Sequence, residues 1–210
     1  MAAAGTSEAG AVIQTMVDET QVGGRILVER AGYEPIRWFF LMRRPDLDDI
    51  PDAPLPDGLE VRPVDPADVR RILAAEEEAF QDHWGWREQT EEDVEIILGR
   101  RELDTDLWIV AWDGDEVAGV VQNWIWPDEN VTLGVKRGWL EHISVRRPWR
   151  RRGLGRALTA ASLRRIRDAG MTDAMLGVDA DNPTGALGLY QGLGFVVHQQ
   201  STCYRRAVRL

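Results

Sequence analysis

Hydrophobic positions recur along this 210-residue chain with two periods, and the switches between them mark the elements. LEVRPV at 59–64 alternates as a strand does. From Pro66 and Ala67 onward, Val69, Ile72, Leu73, Ala75 and Phe80 fall on one side of a helix. A second helix is expected from Thr90 to Gly99, carrying Val94, Ile97 and Leu98. The β-rich runs at 106–112 and 116–126 flank Asp113-Gly114-Asp115, a strong hairpin signal. Residues 138–145 read as another strand, and 154–169 as a long helix with Leu154, Leu158, Ala161 and Ile166 on one side. A strand at 173–178, a helix at 184–192 and a final pair of strands at 195–208 complete the pattern. An antiparallel meander followed by a β-α-β crossover implies an α/β fold, a mixed sheet with helices on both faces.

RRPDLDDIPDAPLPDG at 43–58 holds four prolines and several aspartates without periodicity. It places a linker at 45–57 and one substantial domain at 58–210. The N-terminal part echoes the C-terminal part. Gly32-Tyr33 followed by Met42-Arg43-Arg44 matches Gly194-Phe195 followed by Tyr204-Arg205-Arg206 at a constant spacing of 162 residues. VDETQVGGRILVERAGY likewise parallels VDADNPTGALGLYQGLGF with a one-residue gap, so 1–44 reads as the tail of a second copy of the domain. Two unrelated helix–turn–strand units would look similar. The apolar run IRWFFLM at 36–42 gives this remnant an unpaired edge, which docks either on its own domain or on a partner subunit as a homodimer.

Charge narrows the function classes. The net charge is −10, which disfavours nucleic acid and anionic membrane as general partners. No apolar run reaches the ~20 residues needed to cross a bilayer. MAAAGTSEAG has neither the basic nor the apolar segment of a secretory signal. Cys203 is alone, which fits a reducing compartment, and a cytoplasmic location is expected. Against this acidic background Arg146, Arg147, Arg150, Arg151, Arg152 and Arg156 crowd one stretch without an acid, which points to a specific anionic ligand.

In that stretch a strand ending at Val145 enters a turn, and Arg150-x-x-Gly153-x-Gly155 leads into a helix. Glycines let backbone approach a phosphate closely. A helix start offers amides without intrahelical partners, with the positive end of the dipole behind them. Guanidinium groups add charge-assisted hydrogen bonds. The chain has no Walker-type G-x-x-x-x-G-K-[ST] run, and Leu158 stands where a dinucleotide fingerprint needs its third glycine. A glycine-bearing helix entry with a solvated arginine face is the plain alternative.

These residues resemble the GNAT superfamily of N-acetyltransferases, whose cofactor motif [Q/R]-x-x-G-x-[G/A] is matched in register by Arg150, Gly153 and Gly155. The second element of the superfamily is matched by Asn182, Tyr190 and Gly194-Phe195, although Asn182 lies eight residues before Tyr190 where seven are usual. The repeat resembles tandem, mycothiol-synthase-like members, and Val28 stands in the first copy where Tyr190 stands in the second. The resemblance implies acetyl-CoA as donor, direct transfer in a ternary complex, and a small-molecule primary amine as acceptor. It implies that the backbone of Ile143, Ser144 and Val145 pairs with the pantetheine arm. Arg150, Arg151, Arg152, Gly153, Leu154, Gly155 and Arg156 would surround the pyrophosphate, with Asn182 nearby. Tyr190 would protonate the departing thiolate, and an amide near Val145 would hold the oxyanion.

Glu141 is the candidate base, directly or through water. Strict alternation would put it on the same side of its strand as Ile143 and Val145 and turn His142 the other way. An ion pair with a nearby arginine is the plain reading of Glu141, and core packing that of Tyr190. On the acceptor side, EEEAFQDHWGWRE at 76–88 offers acids for a cation, and His83, Trp84, Trp86 and Trp124 are candidate walls. A wet helix face at Glu76, Glu77 and Glu78, with tryptophans covering a sheet edge, is the competing reading. No metal ligands are assigned. A non-catalytic acyl-CoA-binding regulatory or structural domain is the alternative function. Arginine-driven nucleic-acid binding is a third reading.

Overall fold

The computed structural model describes residues 5–7, 10–182 and 185–208. The chain forms two compact units, with boundaries that fall inside two strands and one short helix. One holds Arg44–Leu176 and Leu189–Phe195, the other Met1–Arg43, Gly177–Gly188 and Val196–Leu210.

In the second-named unit, β1 (Gly5–Ser7) pairs with β2 (Gly10–Asp18), and β2 and β3 (Glu34–Arg44) flank β9 (Val196–Ala207) antiparallel on its two sides. The N-terminal run thus docks on the chain's own last strand. The expected final pair of strands is one strand of twelve residues, because β2 and β3 supply the neighbours that a hairpin would have supplied. Before β3 comes α1 (Val22–Arg30). The turn after it repeats the later one in detail. Tyr33 N donates to Val28 O and Gly32 N to Glu29 O, both at 3.0 Å, with Gly32 at φ 78°. The equivalent amides of Phe195 and Gly194 donate to Tyr190 O and Gln191 O, also at 3.0 Å, with Gly194 at φ 86°.

The larger unit carries the arginine turn. Its sheet runs β8-β7-β6-β5-β4, where β4 is Glu60–Arg62, β5 Ile109–Asp113, β6 Glu116–Ile125, β7 Arg137–Val145 and β8 Asp173–Asp179. β4 to β7 pair antiparallel; β7 and β8 are parallel, joined by the crossover helix α5 (Leu154–Asp168). Gly114 at φ 56° turns the β5–β6 hairpin at the expected Asp-Gly. Val69, Ile72, Leu73 and Ala75 of α2 (Val69–Phe80) pack on Trp108, Val110, Trp112, Val117 and Val120. α3 (Glu91–Leu98) starts at Thr90 with a capping box, in which Asp93 accepts from Thr90 N at 2.8 Å and Thr90 Oγ1 from Asp93 N at 3.2 Å.

α2 and α5 cover opposite faces of this sheet. A Cβ on Gly119 of β6 would meet Leu158 of α5 at 3.1 Å, while its neighbour Val120 joins the α2 core. Two elements depart from the sequence pattern. α4 (Pro127–Leu133), closed by Gly134 at φ 63°, was not expected, although proline at its first position and a left-handed glycine after its last are helix signals. Glu76 is not on the wet face of α2. It follows Ile72 and Leu73 by four and three residues, so the apolar stripe carries it inward and only 2% of it is exposed.

Candidate active site

Strand β7 is irregular where the site needs it. Val120 pairs with Ser144 and Gln122 with Glu141, so one residue of β6 lies opposite His142 and Ile143, a β-bulge. His142 takes φ 46°, a left-handed torsion for a residue with a Cβ. Because a bulge adds one residue, it reverses the facing of everything beyond it. Val145 pairs with Gly119 and faces α5, whereas Glu141 pairs with Gln122 and faces α2. The alternation expected from the sequence, Glu141 with Val145 and His142 turned away, is therefore corrected. His142 also meets α2, where its Nδ1 lies 2.5 Å from Glu76 Oε1.

Pairing of β7 with β8 covers only Arg137, Gly138 and Trp139. A buried bidentate pair, Arg137 Nε and Nη2 to the two carboxylate oxygens of Asp173 at 2.9 Å each, ties the strands at this end. The remainder of β7, with Ile143, Ser144 and Val145, has no register with β8 and can accept an extended group alongside it.

The turn after Val145 exposes its amides. Among the described residues, no backbone carbonyl accepts from the amides of 151–156, and the first helical bond of α5 is Ala157 N to Gly153 O. Arg151 and Gly153 are both left-handed, at φ 60° and 87°. A Cβ on Gly153 would meet nothing within 4 Å, so the space in front of these amides is open. Gly155 lies against Val145 and Leu189, and Arg156 donates to Gly192 O at 3.2 Å, which brings the chain around Tyr190 to the turn.

The arginines divide into two sets, which the sequence did not separate. Arg146 bonds Glu78 at 2.9 Å and Glu116 at 2.7 Å. Arg147 and Arg150 share Asp82, and their guanidinium groups hold its carboxyl well below the usual carboxylate range, Arg147 contributing most. Arg150 also donates to Val145 O and Ala79 O, each at 2.9 Å. Its side chain braces the turn, which corrects the expectation that it faces the anion. Arg151, Arg152 and Arg156 pair with no carboxylate among the described residues, and they flank the free amides.

Tyr190, in α6 (Ala186–Gln191), is 7% exposed and meets Phe195 edge-on with ring centroids 6.0 Å apart. Burial pushes its phenol well above the ordinary value of 10, so it keeps its proton at any working pH. Asn182 belongs to the other compact unit, in the turn after β8, where its amide donates to Asp179 O at 3.1 Å.

A cleft of about 340 Å³ opens on the α2 face, lined by Glu102, Trp126, Pro127, Asp128, Glu129, Trp139 and Glu141. Trp139 Nε1 donates to Glu129 at 3.1 Å. Of the expected walls, Trp124 is buried behind Trp126, stacked on it at 5.2 Å and 6°. His83, Trp84 and Trp86 lie on the segment after α2, where His83 meets Phe80 edge-on at 4.5 Å, and none of them lines this cleft. Asp128 and Glu129 escaped the sequence reading along with α4, while Trp139 and Glu102 carried no local signal.

The sequence profile of the acetyltransferase (GNAT) family matches residues 68–195. The chain belongs to the GNAT acetyltransferase family. It is 33% identical over 173 residues to a mycothiol acetyltransferase of Paenarthrobacter aurescens, covering 81% of this chain and 53% of that protein. It is 31% identical over 212 residues to one of Segniliparus rotundus, covering 97% and 77%. A GCN5-related N-acetyltransferase from Sphaerobacter thermophilus superposes with a TM-score of 0.78 at 28% identity, over 98% of this chain and 64% of that one. The chain spans about half of the first of these relatives. The acyl-CoA that GNAT membership implies is compatible with the free amides, the open space at Gly153 and the arginines that have no carboxylate partner among the described residues. No described helix is long and apolar enough to cross a membrane.

Proposed function

We propose that this GNAT chain transfers an acetyl group from acetyl-CoA to a primary amine of a small molecule, both substrates being bound together. The observation that carries this reading is the run of unpartnered amides at 151–156 beside the unpaired length of β7. Those amides, with Arg151, Arg152 and Arg156, suit a pyrophosphate, and the backbone of Ile143, Ser144 and Val145 suits the pantetheine arm. Asn182 keeps a place in this proposal only through its match to the family motif. The bound cofactor supplies an acyl group activated as a thioester. Tyr190, protonated and reached through the Leu189 contact with the turn, offers its proton to the departing sulfur, and an amide near Val145 faces the developing oxyanion.

The acceptor cleft supports a cation. Glu102, Asp128, Glu129 and Glu141 converge there between Trp126 and Trp139, a setting for an ammonium ion attached to an apolar or hydroxylated body. Glu141, the base expected from the sequence, is given the hold on that ammonium group. The relatives named mycothiol acetyltransferase favour acetyl as the group carried and a small molecule as its acceptor. The buried free Cys203 suits the reducing cytoplasm. Pairing of β2 and β3 with β9 removes the unpaired edge that motivated a homodimer, so the N-terminal segment acts within its own chain.

Thermal-shift titration with acetyl-CoA, propionyl-CoA and free CoA tests the cradle. Release of free thiol with tryptamine, putrescine and glucosamine then tests transfer. Stabilisation by CoA with no thiol release from any amine would favour the non-catalytic binding domain.

A further inference from the structure

Glu76 is a carboxylate inside the protein, held between a glutamine and a histidine. Its side chain is 3% exposed; Gln122 Nε2 from β6 donates to one oxygen and His142 Nδ1 lies 2.5 Å from the other. An amide cannot titrate and an imidazole can. His142 reaches this carboxylate only because the bulge turns it toward α2 at a left-handed torsion, a conformation disfavoured in a residue with a Cβ. Its side chain is 46% exposed, and among the described residues its Nε2 has no protein partner. Glu141, which lines the acceptor cleft, is its neighbour in sequence and faces the same helix.

Resting on the acetyltransferase reading, we propose that His142, oriented by Glu76, is the base that takes the proton from the acceptor's ammonium group while Glu141 holds that cation. The N–H bond breaks with its electron pair left on the amine nitrogen, the proton bonds to Nε2, and the imidazolium returns it to water. Glu76 fixes the tautomer with the proton on Nδ1, as the carboxylate of a catalytic triad does. An imidazole is better matched than a carboxylate to an ammonium ion of pKa about 10.

The groups facing the ring are Glu76 and Phe80 from α2, Glu141 from β7 and Arg100 after α3, with His83 behind Phe80. Desolvation lowers the His142 pKa most. The hydrogen bond and charge of Glu76, joined by the charge of Glu141, outweigh it and the repulsion from Arg100, so the value lies above the ordinary 6.5.

The test uses the whole chain and the amine of the panel above with the highest kcat/KM. In the wild type, kcat/KM should rise with pH and level off once His142 is neutral. His142→Asn should lose roughly 10²-fold or more and lose that acid limb, while its thermal shift with CoA stays. Glu76→Gln should move the limb to lower pH, and in the ligand-free protein it should move the NMR titration of the His142 ring the same way. Glu141→Gln should raise the KM for the amine and keep the limb, moved to lower pH by less than in Glu76→Gln because its charge acts on the ring without a hydrogen bond. An acid limb that survives His142→Asn, or that disappears with Glu141→Gln, overturns the proposal and leaves the acetyltransferase reading intact; a wild type without turnover overturns both. If Glu76→Gln does not fold, His142→Asn decides alone.

Discussion

Asp82 holds Arg150 at 2.7 Å and shares its carboxylate with Arg147, so the end of α2 is fastened to the turn that leads into α5. Arg150 continues the link to Val145 O at 2.9 Å. The segment bearing His83, Trp84 and Trp86 and the arginine turn are thereby one assembly within the larger unit.

Replacing Asp82 with asparagine should loosen that link and lower Tm. The depressed pKa of Asp82 means that its stabilisation is complete above the unfolded value, about 4, and is lost as pH falls through the lower folded value. The difference in Tm between wild type and Asp82→Asn should therefore be constant from about pH 5 to 9 and shrink below about pH 4. A constant difference down to the acid transition would refute the link.

Tyr190→Phe removes a hydroxyl from a buried ring and leaves its packing against Phe195 in place. Turnover should fall by roughly 10²-fold or more, with the CoA-induced thermal shift unchanged. Since burial raises the phenol's pKa, no basic limb from Tyr190 should be seen up to about pH 9. A variant matching wild type across the pH profile would exclude Tyr190 from the chemistry.

Gly153→Ala forces a Cβ into a left-handed torsion at φ 87°, at a cost of about 1–2 kcal/mol. No protein atom lies within 4 Å of that Cβ, so the strain is one of backbone torsion alone. Tm should fall by several degrees, and calorimetry should find CoA bound more weakly because the carbon projects into the open space before the amides. Unchanged CoA affinity would move the pyrophosphate elsewhere.

Gly119→Ala places a Cβ 2.7 Å from Ser144 O and 3.1 Å from Leu158 Cδ1. Neither a strand carbonyl nor a fully buried leucine yields easily, and a loss of about 1–3 kcal/mol is expected from chemical denaturation. The strain falls beside the bulge, so the acceptor KM should rise as well. Wild-type stability would show that β6 and β7 can separate there.

Local chemistry made much of the fold readable. The stripe of Val69, Ile72, Leu73 and Ala75, the Thr90 cap, the Asp113-Gly114 turn and the glycines of the cofactor motif each act through neighbours in sequence. α4 carried usable signals in Pro127 and Gly134, but its apolar pattern is too short to stand out. Glu76 was misread because a charge within an apolar stripe is ordinarily solvated, and its partners come from β6 and β7. The arginines were counted as one cluster because Glu78, Asp82 and Glu116, which neutralise half of them, are distant in the chain.

By itself the sequence determined most of the helices and strands of the larger unit, the glycine-bearing helix entry and the repeated helix–turn–strand unit, since these follow from periodicity and backbone torsion over a few residues. Only the tertiary structure decided which arginines stay free for an anion, where β7 parts from β8, and that one inserted residue at the bulge sends Glu141 and His142 toward α2. Strand pairing and charge neutralisation join residues tens of positions apart, and a strand's facing depends on its partner's register, which no local pattern encodes.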